Sequence, residues 1–200
     1  MTITTIQNKK YVMIVVIGAI IVLSSIFVVR FYDDIFYTSP YTGVGKLGSD
    51  HQHARFQLII DDHRISFSSD SYPKYLDANP YILMEKEDGN TIHRFATGAT
   101  LDIFFNSFGM KFSKDCIILP EDTRSIHDKD IDWGPAEYCN EGDKTLKFYV
   151  NKQPNDMYEQ YVMNERDKIL IIYGNQTEEV IDERLKDVKF PSGPSLGFFP

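Results

Sequence analysis

An α+β domain carried on one N-terminal membrane helix is the architecture this chain predicts, and three features predict it. Residues 11–29 are a nineteen-residue apolar run without a charge. From Asp50 the chain reads Asp-His-Gln-His-Ala-Arg-Phe-Gln-Leu-Ile-Ile, which begins with the alternation of a strand covered on one face. Beyond it, several strand-like runs are interrupted by helical spacing twice, after residue 100 and after residue 175. That mixture describes a mixed sheet wrapped on a short central helix and followed by a C-terminal helix.

The apolar run comes first. A nineteen-residue helix at ~1.5 Å per residue spans roughly 28 Å, the thickness of a bilayer core. Lys9 and Lys10 precede it and Asp33 and Asp34 follow it, so the positive-inside rule leaves residues 1–10 in the cytoplasm. Tyr11 at one end, with Phe31 and Tyr32 at the other, suit the two interfaces. A cleaved signal peptide is the rival reading, but the run is long for such a segment and no Ala-x-Ala-like site follows it. The expected organisation is a cytoplasmic N-terminus (1–10), a transmembrane helix (11–32), a linker (33–49), an extracytoplasmic domain (50–190) and a flexible tail (191–200).

Charge narrows the partners. The formal charge is −8, and residues 1–32 hold only Lys9, Lys10 and Arg30, so residues 33–200 carry −11. Nucleic-acid phosphates are bound by clustered Lys and Arg, which argues against a nucleic-acid partner. An acidic domain suits cations or a basic protein surface.

The linker contains Gly43-Val44-Gly45-Lys46-Leu47-Gly48, the letters of a dinucleotide fingerprint. That fingerprint requires a strand before it and a helix after it, and here a loop precedes and a strand follows. Within the strand from Ala54 to Ile60, Ala54, Phe56, Leu58 and Ile60 share the core face, and His51, His53, Arg55 and Gln57 the other. Asp61-Asp62-His63-Arg64 reads as a turn returning through Ile65, which makes His63 a turn residue. A second hairpin is predicted around Asp88-Gly89, between residues 80–85 and 90–95. Leu101, Phe104, Phe105 and Phe108 then fall at helical spacing before Gly109.

Residues 116–119 form a strand, and 120–143 read as a long acidic loop with Trp133, Gly134 and Pro135. A strand over 144–150 turns at Asn151-Lys152, and residues 168–173 form the most apolar strand of the domain. Asn175 with Glu178 makes a capping box for a helix through about Asp187, carrying Val180, Ile181, Leu185 and Val188. The tail has too much Pro and Gly for a packed element, although Leu196, Phe198 and Phe199 suit a docking contact.

Cys116 and Cys139 are the two cysteines, both on the side assigned to the oxidising compartment, where thiols pair. Closing that loop contributes about 3 kcal/mol in the chain-entropy treatment. A redox pair or two metal thiolates are the alternatives, and no Cys-x-x-Cys supports redox chemistry. Residues 128–139 echo a calcium loop imperfectly, with Gly134 one place late and Cys139 where Glu is needed. Asn175-Gln176-Thr177 is a glycosylation sequon.

His51 and His53 share one strand face, and two neutral imidazoles so placed can bind Cu(II) or Zn(II). His93 on a neighbouring strand is the candidate third ligand. No His-Glu-x-x-His, Gly-x-Ser-x-Gly or Walker loop accompanies them, so the chain offers no local catalytic motif.

Taken together, His51-x-His53-Ala54-x-Phe56, Ile92-His93, Thr100-Leu101 through Phe108-Gly109, Asp115-Cys116, Tyr138-Cys139-Asn140-x-Gly142-Asp143-Lys144, Val150-Asn151 and residues 167–174 resemble a family of small membrane-anchored prokaryotic proteins, many archaeal. The resemblance covers most of residues 51–174 and implies a family largely without assigned function. In such proteins the later histidine is commonly paired as His-x-His, whereas Phe95 stands at the second place here, so these positions offer three histidine ligands at most. A disulfide-isomerase label carried by some relatives finds no Cys-x-x-Cys to rest on. The C-terminal half also looks like a β-grasp domain, without the terminal Gly-Gly of sulfur carriers. The expected function is a membrane-anchored extracytoplasmic module that binds copper, or zinc as second choice, through His51, His53 and His93. A non-catalytic accessory subunit of a membrane protein complex is the alternative.

Overall fold

The computed structural model describes residues 3–36, 39–65, 67, 79–85, 89–120 and 137–190. They fall into two compact units, Met1–Pro40 and Tyr41–Pro200.

The first unit is a single helix, α1 (Ile3–Phe36), whose stretch Tyr11–Tyr32 is long and apolar enough to cross a membrane. Its apolar side chains, Val15, Leu23 and Val29 among them, are exposed. The hydroxyls of Ser24 and Ser25 donate back to the Ile21 carbonyl at 2.9 and 2.8 Å, so neither presents a free polar group to a hydrocarbon surround. The helix continues through Phe36, into residues expected as linker.

In the second unit the elements are β1 (Gln52–Ile60), β2 (His63–Ile65), β3 (Ile82–Met84), β4 (Thr91–Arg94), α2 (Leu101–Ser107), β5 (Lys111–Phe112), β6 (Cys116–Ile118), β7 (Glu137–Cys139), β8 (Thr145–Val150), β9 (Gln153–Pro154), a 3₁₀ turn (Tyr158–Gln160), β10 (Asp167–Gly174) and α3 (Glu178–Asp187). The main sheet runs β3-β4-β1-β10-β8-β9, with β2 on the later half of β1, and β5-β6-β7 form a small second sheet. The fold is α+β, as expected. Its centre is the parallel pair β1 and β10, in register from Ala54 opposite Asp167 to Ile60 opposite Tyr173.

That register places the predicted core residues in rows. Phe56, Ile169 and Val150 lie side by side, as do Leu58, Ile171 and Phe148, and then Ile60, Tyr173 and Leu146. All are buried, and α2 packs Leu101, Phe104 and Phe105, with Phe108 just after it, into the same cluster. Phe56 meets Phe104 and Phe105 with ring centroids 5.8 and 5.9 Å apart, in edge-on contacts. The opposite face is covered over only part of its area. There α3 lays Ile181 and Leu185, with Val188 just after it, over Ile59, Leu170, Ile172 and Tyr149. Along β1 the outward face therefore passes from His51 and His53 at the start to buried Ile59 at the end.

Several expectations need correction. The first hairpin turns at Asp61 and Asp62 alone, both with positive φ (46° and 70°), so His63 and Arg64 belong to β2 and not to the turn. A two-residue turn of this kind matches the strand twist better than the longer turn expected. Asn151 and Lys152 repeat the device at φ 52° and 70°, as anticipated. The capping box does not form: Thr177 occupies the cap position without a side-chain bond, and Asn175 donates to Asp143 Oδ2 at 3.1 Å instead. Glu178 and Glu179 in the first turn, with Arg184 and Lys186 in the last, still complement the helix dipole.

The presumed acidic loop ends in β7, whose Tyr138 is buried. Three residues carry too little alternation to read as a strand, and this one is defined by its partner β6. The calcium-like stretch 128–134 and the tail 191–200 lie outside the described residues. Finally, residues 41–49 pack on the domain instead of linking to it. Gly45 and Gly48 donate their amides to the carbonyls of Thr97 and Phe95 at 2.9 and 2.8 Å. Gly98, at φ 75°, allows an approach so close that a Cβ there would collide with the Gly43 carbonyl oxygen. The glycines serve backbone contact and no nucleotide geometry.

Cys116 and Cys139 form a disulfide between paired positions of β6 and β7. Because it closes a loop of 23 residues' separation, reduction or Cys→Ser replacement is expected to cost about 3 kcal/mol. Urea midpoints of the oxidised and reduced chain measure this, and a difference under about 1 kcal/mol would contradict a stabilising role.

Candidate metal centre

Antiparallel pairing of β1 with β4 sets His53 directly opposite His93. His51, just before β1, lies two residues back on the same face as His53. The structure thus brings all three predicted histidines together: each offers a ring nitrogen, and the three lie within 4.8 Å of one another. A tetrahedral ion at ~2.1 Å from each nitrogen needs them roughly 3.4 Å apart, so a small pivot of the rings suffices. Among the described residues this is the one cluster of its kind.

Ring contacts define the shape. The centroids of His51 and His53 are 4.6 Å apart, those of His53 and His93 4.5 Å, and those of His51 and His93 6.0 Å. Phe95 stacks on His51 at 4.7 Å and lies 5.9 Å from His93. It walls one side with an apolar ring. His51 is exposed, while His53 and His93 are partly buried.

Two carboxylates complete the arrangement, and sequence reasoning missed both. Glu165 Oε2 lies 3.2 Å from His53 Nδ1 and also accepts the His53 backbone N–H at 2.8 Å. Glu85 Oε2 lies 3.3 Å from His93 Nε2. Glu165 stands on a loop fixed from below: buried Asp167 accepts from Tyr161 Oη (2.6 Å), the Asn164 amide (2.7 Å) and Asn151 Nδ2 (2.7 Å), and the Arg166 amide donates to the His53 carbonyl at 2.7 Å. Glu85 is held where β3 ends by its amide bond to the Thr91 carbonyl at 2.7 Å. Glu165 is 112 residues from its histidine, so no local signal announces it. Glu85 sits two residues beyond Leu83, which pairs with His93, and only the β3–β4 register reveals the proximity.

Asp50 anchors the entry to β1. It accepts from the His51 amide at 2.8 Å and from Gln52 Nε2 at 2.7 Å, and pairs with buried Arg94 at 2.9 Å. The Gln52 bond first, then the His51 amide and Arg94, hold its carboxyl below the usual carboxylate range against the opposing effect of desolvation.

Desolvation lowers His93 below its ordinary value of 6.5, with His53 and His51 adding to the effect and the Glu85 bond opposing it. A lowered imidazole is neutral at physiological pH, the form a metal requires. The folded chain therefore binds a proton at His93 less readily than the unfolded chain does. Its relative stability is full above about pH 6.5 and declines as pH falls toward the folded pKa. Denaturation midpoints of the metal-free chain are expected to fall across that window, and His93→Gln to flatten the decline. An unchanged slope in the variant would assign the titration elsewhere.

Comparison with protein-family models, curated proteins and solved structures finds no match.

Proposed function

We propose that the chain is a membrane-anchored metal-binding module whose centre is His51, His53 and His93, and which holds copper in preference to zinc. The observation that carries this reading is the convergence of three imidazole nitrogens within 4.8 Å from two strands and the segment before β1. Imidazole suits both metals, and for one set of nitrogen ligands Cu(II) binds more tightly than Zn(II). The acidic domain favours a cation.

The placement belongs to the same proposal. α1 anchors the chain, Lys9 and Lys10 keep its N-terminus in the cytoplasm, and the disulfide suits an oxidising exterior. The domain itself has the central parallel pair and flanking hairpins that favour a β-grasp reading. Titrating the untagged full chain in detergent with copper(II) and zinc(II) tests the function. Stoichiometric binding that depends on the histidines supports it. Absence of binding would leave an anchored accessory subunit as the reading to pursue, by searching for its membrane-complex partner.

A further inference from the structure

We infer that Glu165 and Glu85 are positioning residues that decide which nitrogen each histidine gives to the metal: Nε2 of His53 and Nδ1 of His93. This rests on the metal reading above and extends it to the second layer of the site.

A neutral imidazole carries one N–H, and the ring nitrogen that faces a carboxylate is the one that keeps it, because a carboxylate only accepts. Glu165 faces Nδ1 of His53, and Glu85 faces Nε2 of His93. The lone pair is thereby placed on the other nitrogen of each ring. The two histidines thus use opposite nitrogens. Histidines that ligate metals commonly donate the second nitrogen to such an outer partner, which fixes the tautomer and strengthens the ligand.

The two carboxylates are not loose surface groups that happen to lie nearby. Glu165 accepts two bonds from one residue, backbone and ring, which ties its position to β1 itself. Its loop is bonded to Asp167 and to the His53 carbonyl. Among the described residues no carboxylate faces the ring of His51, which rests against Phe95. The centre is therefore asymmetric: two oriented ligands wait on the sheet, and exposed His51 completes the set when the ion arrives.

The test uses the full chain in detergent, loaded with copper(II) or zinc(II), and compares Glu165→Gln, Glu165→Ala, Glu85→Gln and Glu85→Ala. The Ala variants are expected to lose about 10- to 100-fold in affinity, and the Gln variants, which keep an acceptor oxygen, to recover much of that loss. Pulsed electron paramagnetic resonance of the copper(II) form reads the uncoordinated nitrogen of each bound imidazole. Glu165→Ala and Glu85→Ala should each shift the signal of one imidazole while the number of bound imidazoles stays at that of the parent chain. If the parent chain binds metal through the histidines and the Ala variants change neither affinity nor the remote-nitrogen signal, the positioning role is overturned and the metal reading survives. If the parent chain binds neither ion, both fall.

Discussion

Single replacement of His51, His53 or His93 by alanine is expected to weaken metal binding about 100-fold, and the His53→Ala/His93→Ala double replacement to bring it to the level of adventitious surface binding. The scale follows from four-ligand zinc sites, where roughly 10–16 kcal/mol is shared among the ligands. That is about 3 kcal/mol per ligand, and each ~1.4 kcal/mol is tenfold in affinity. The domain should remain folded, because none of the three rings belongs to either buried cluster and the face carrying them is only partly covered. Far-ultraviolet circular dichroism of the double variant checks the fold, and competition against a chelator of known affinity measures the loss. Undiminished binding in a folded double variant would move the ion away from this face. His51 provides a sharper comparison. It is exposed and, among the described residues, its ring has no carboxylate partner, so its loss should act mainly on retention of the ion.

The arrangement of these residues shows which parts of the site a one-dimensional reading can reach. Period-two alternation from His51 to Ile60 was enough to separate ligand face from core face, because strand geometry leaves side chains no other choice. The two-residue spacing likewise put His51 and His53 together. His93 became a partner through hairpin register, which Asp88-Gly89 hinted at and the pairing of His53 with His93 fixes. Glu165 is a different case. Its approach depends on the parallel pairing of β1 with β10, a contact between chain segments more than a hundred residues apart. Residues 41–49 were misread for a related reason: Gly and Ser speak for a flexible link, yet here they permit close backbone approach to residues 95–98. Asn175 shows the limit of a cap motif, since its amide found a carboxylate, Asp143, on another segment.

Replacing Arg94 with methionine is expected to destabilise the domain by about 2–4 kcal/mol, because it strips a donor from two carbonyls and from the partly exposed carboxylate of Asp50. Arg94 follows His93 on β4, so its side chain points into the core, where the residue is 4% exposed. Its guanidinium donates to the Met163 carbonyl at 3.0 Å and the Ala96 carbonyl at 2.8 Å, and pairs with Asp50 at 2.9 Å. Methionine fills similar volume and supplies no donor, so the Met163 and Ala96 carbonyls and the Asp50 carboxylate each lose one donor, while Asp50 keeps the His51 amide and Gln52. The effect extends to the metal face through Asp50, which holds the His51 amide. Loss of Arg94 should therefore also cost metal affinity, by less than removal of a ligand. Urea midpoints of the parent chain, Arg94→Met, Asp50→Asn and the double variant close a cycle that isolates the coupling between the two residues. Because the Asp50 carboxyl is held below its ordinary value of 3.8, the coupling should persist above about pH 4 and fade as acid protonates it. Additive single effects would mean that Arg94 acts through its two carbonyl bonds alone, and His51 would then owe its position to Asp50 without help from the core.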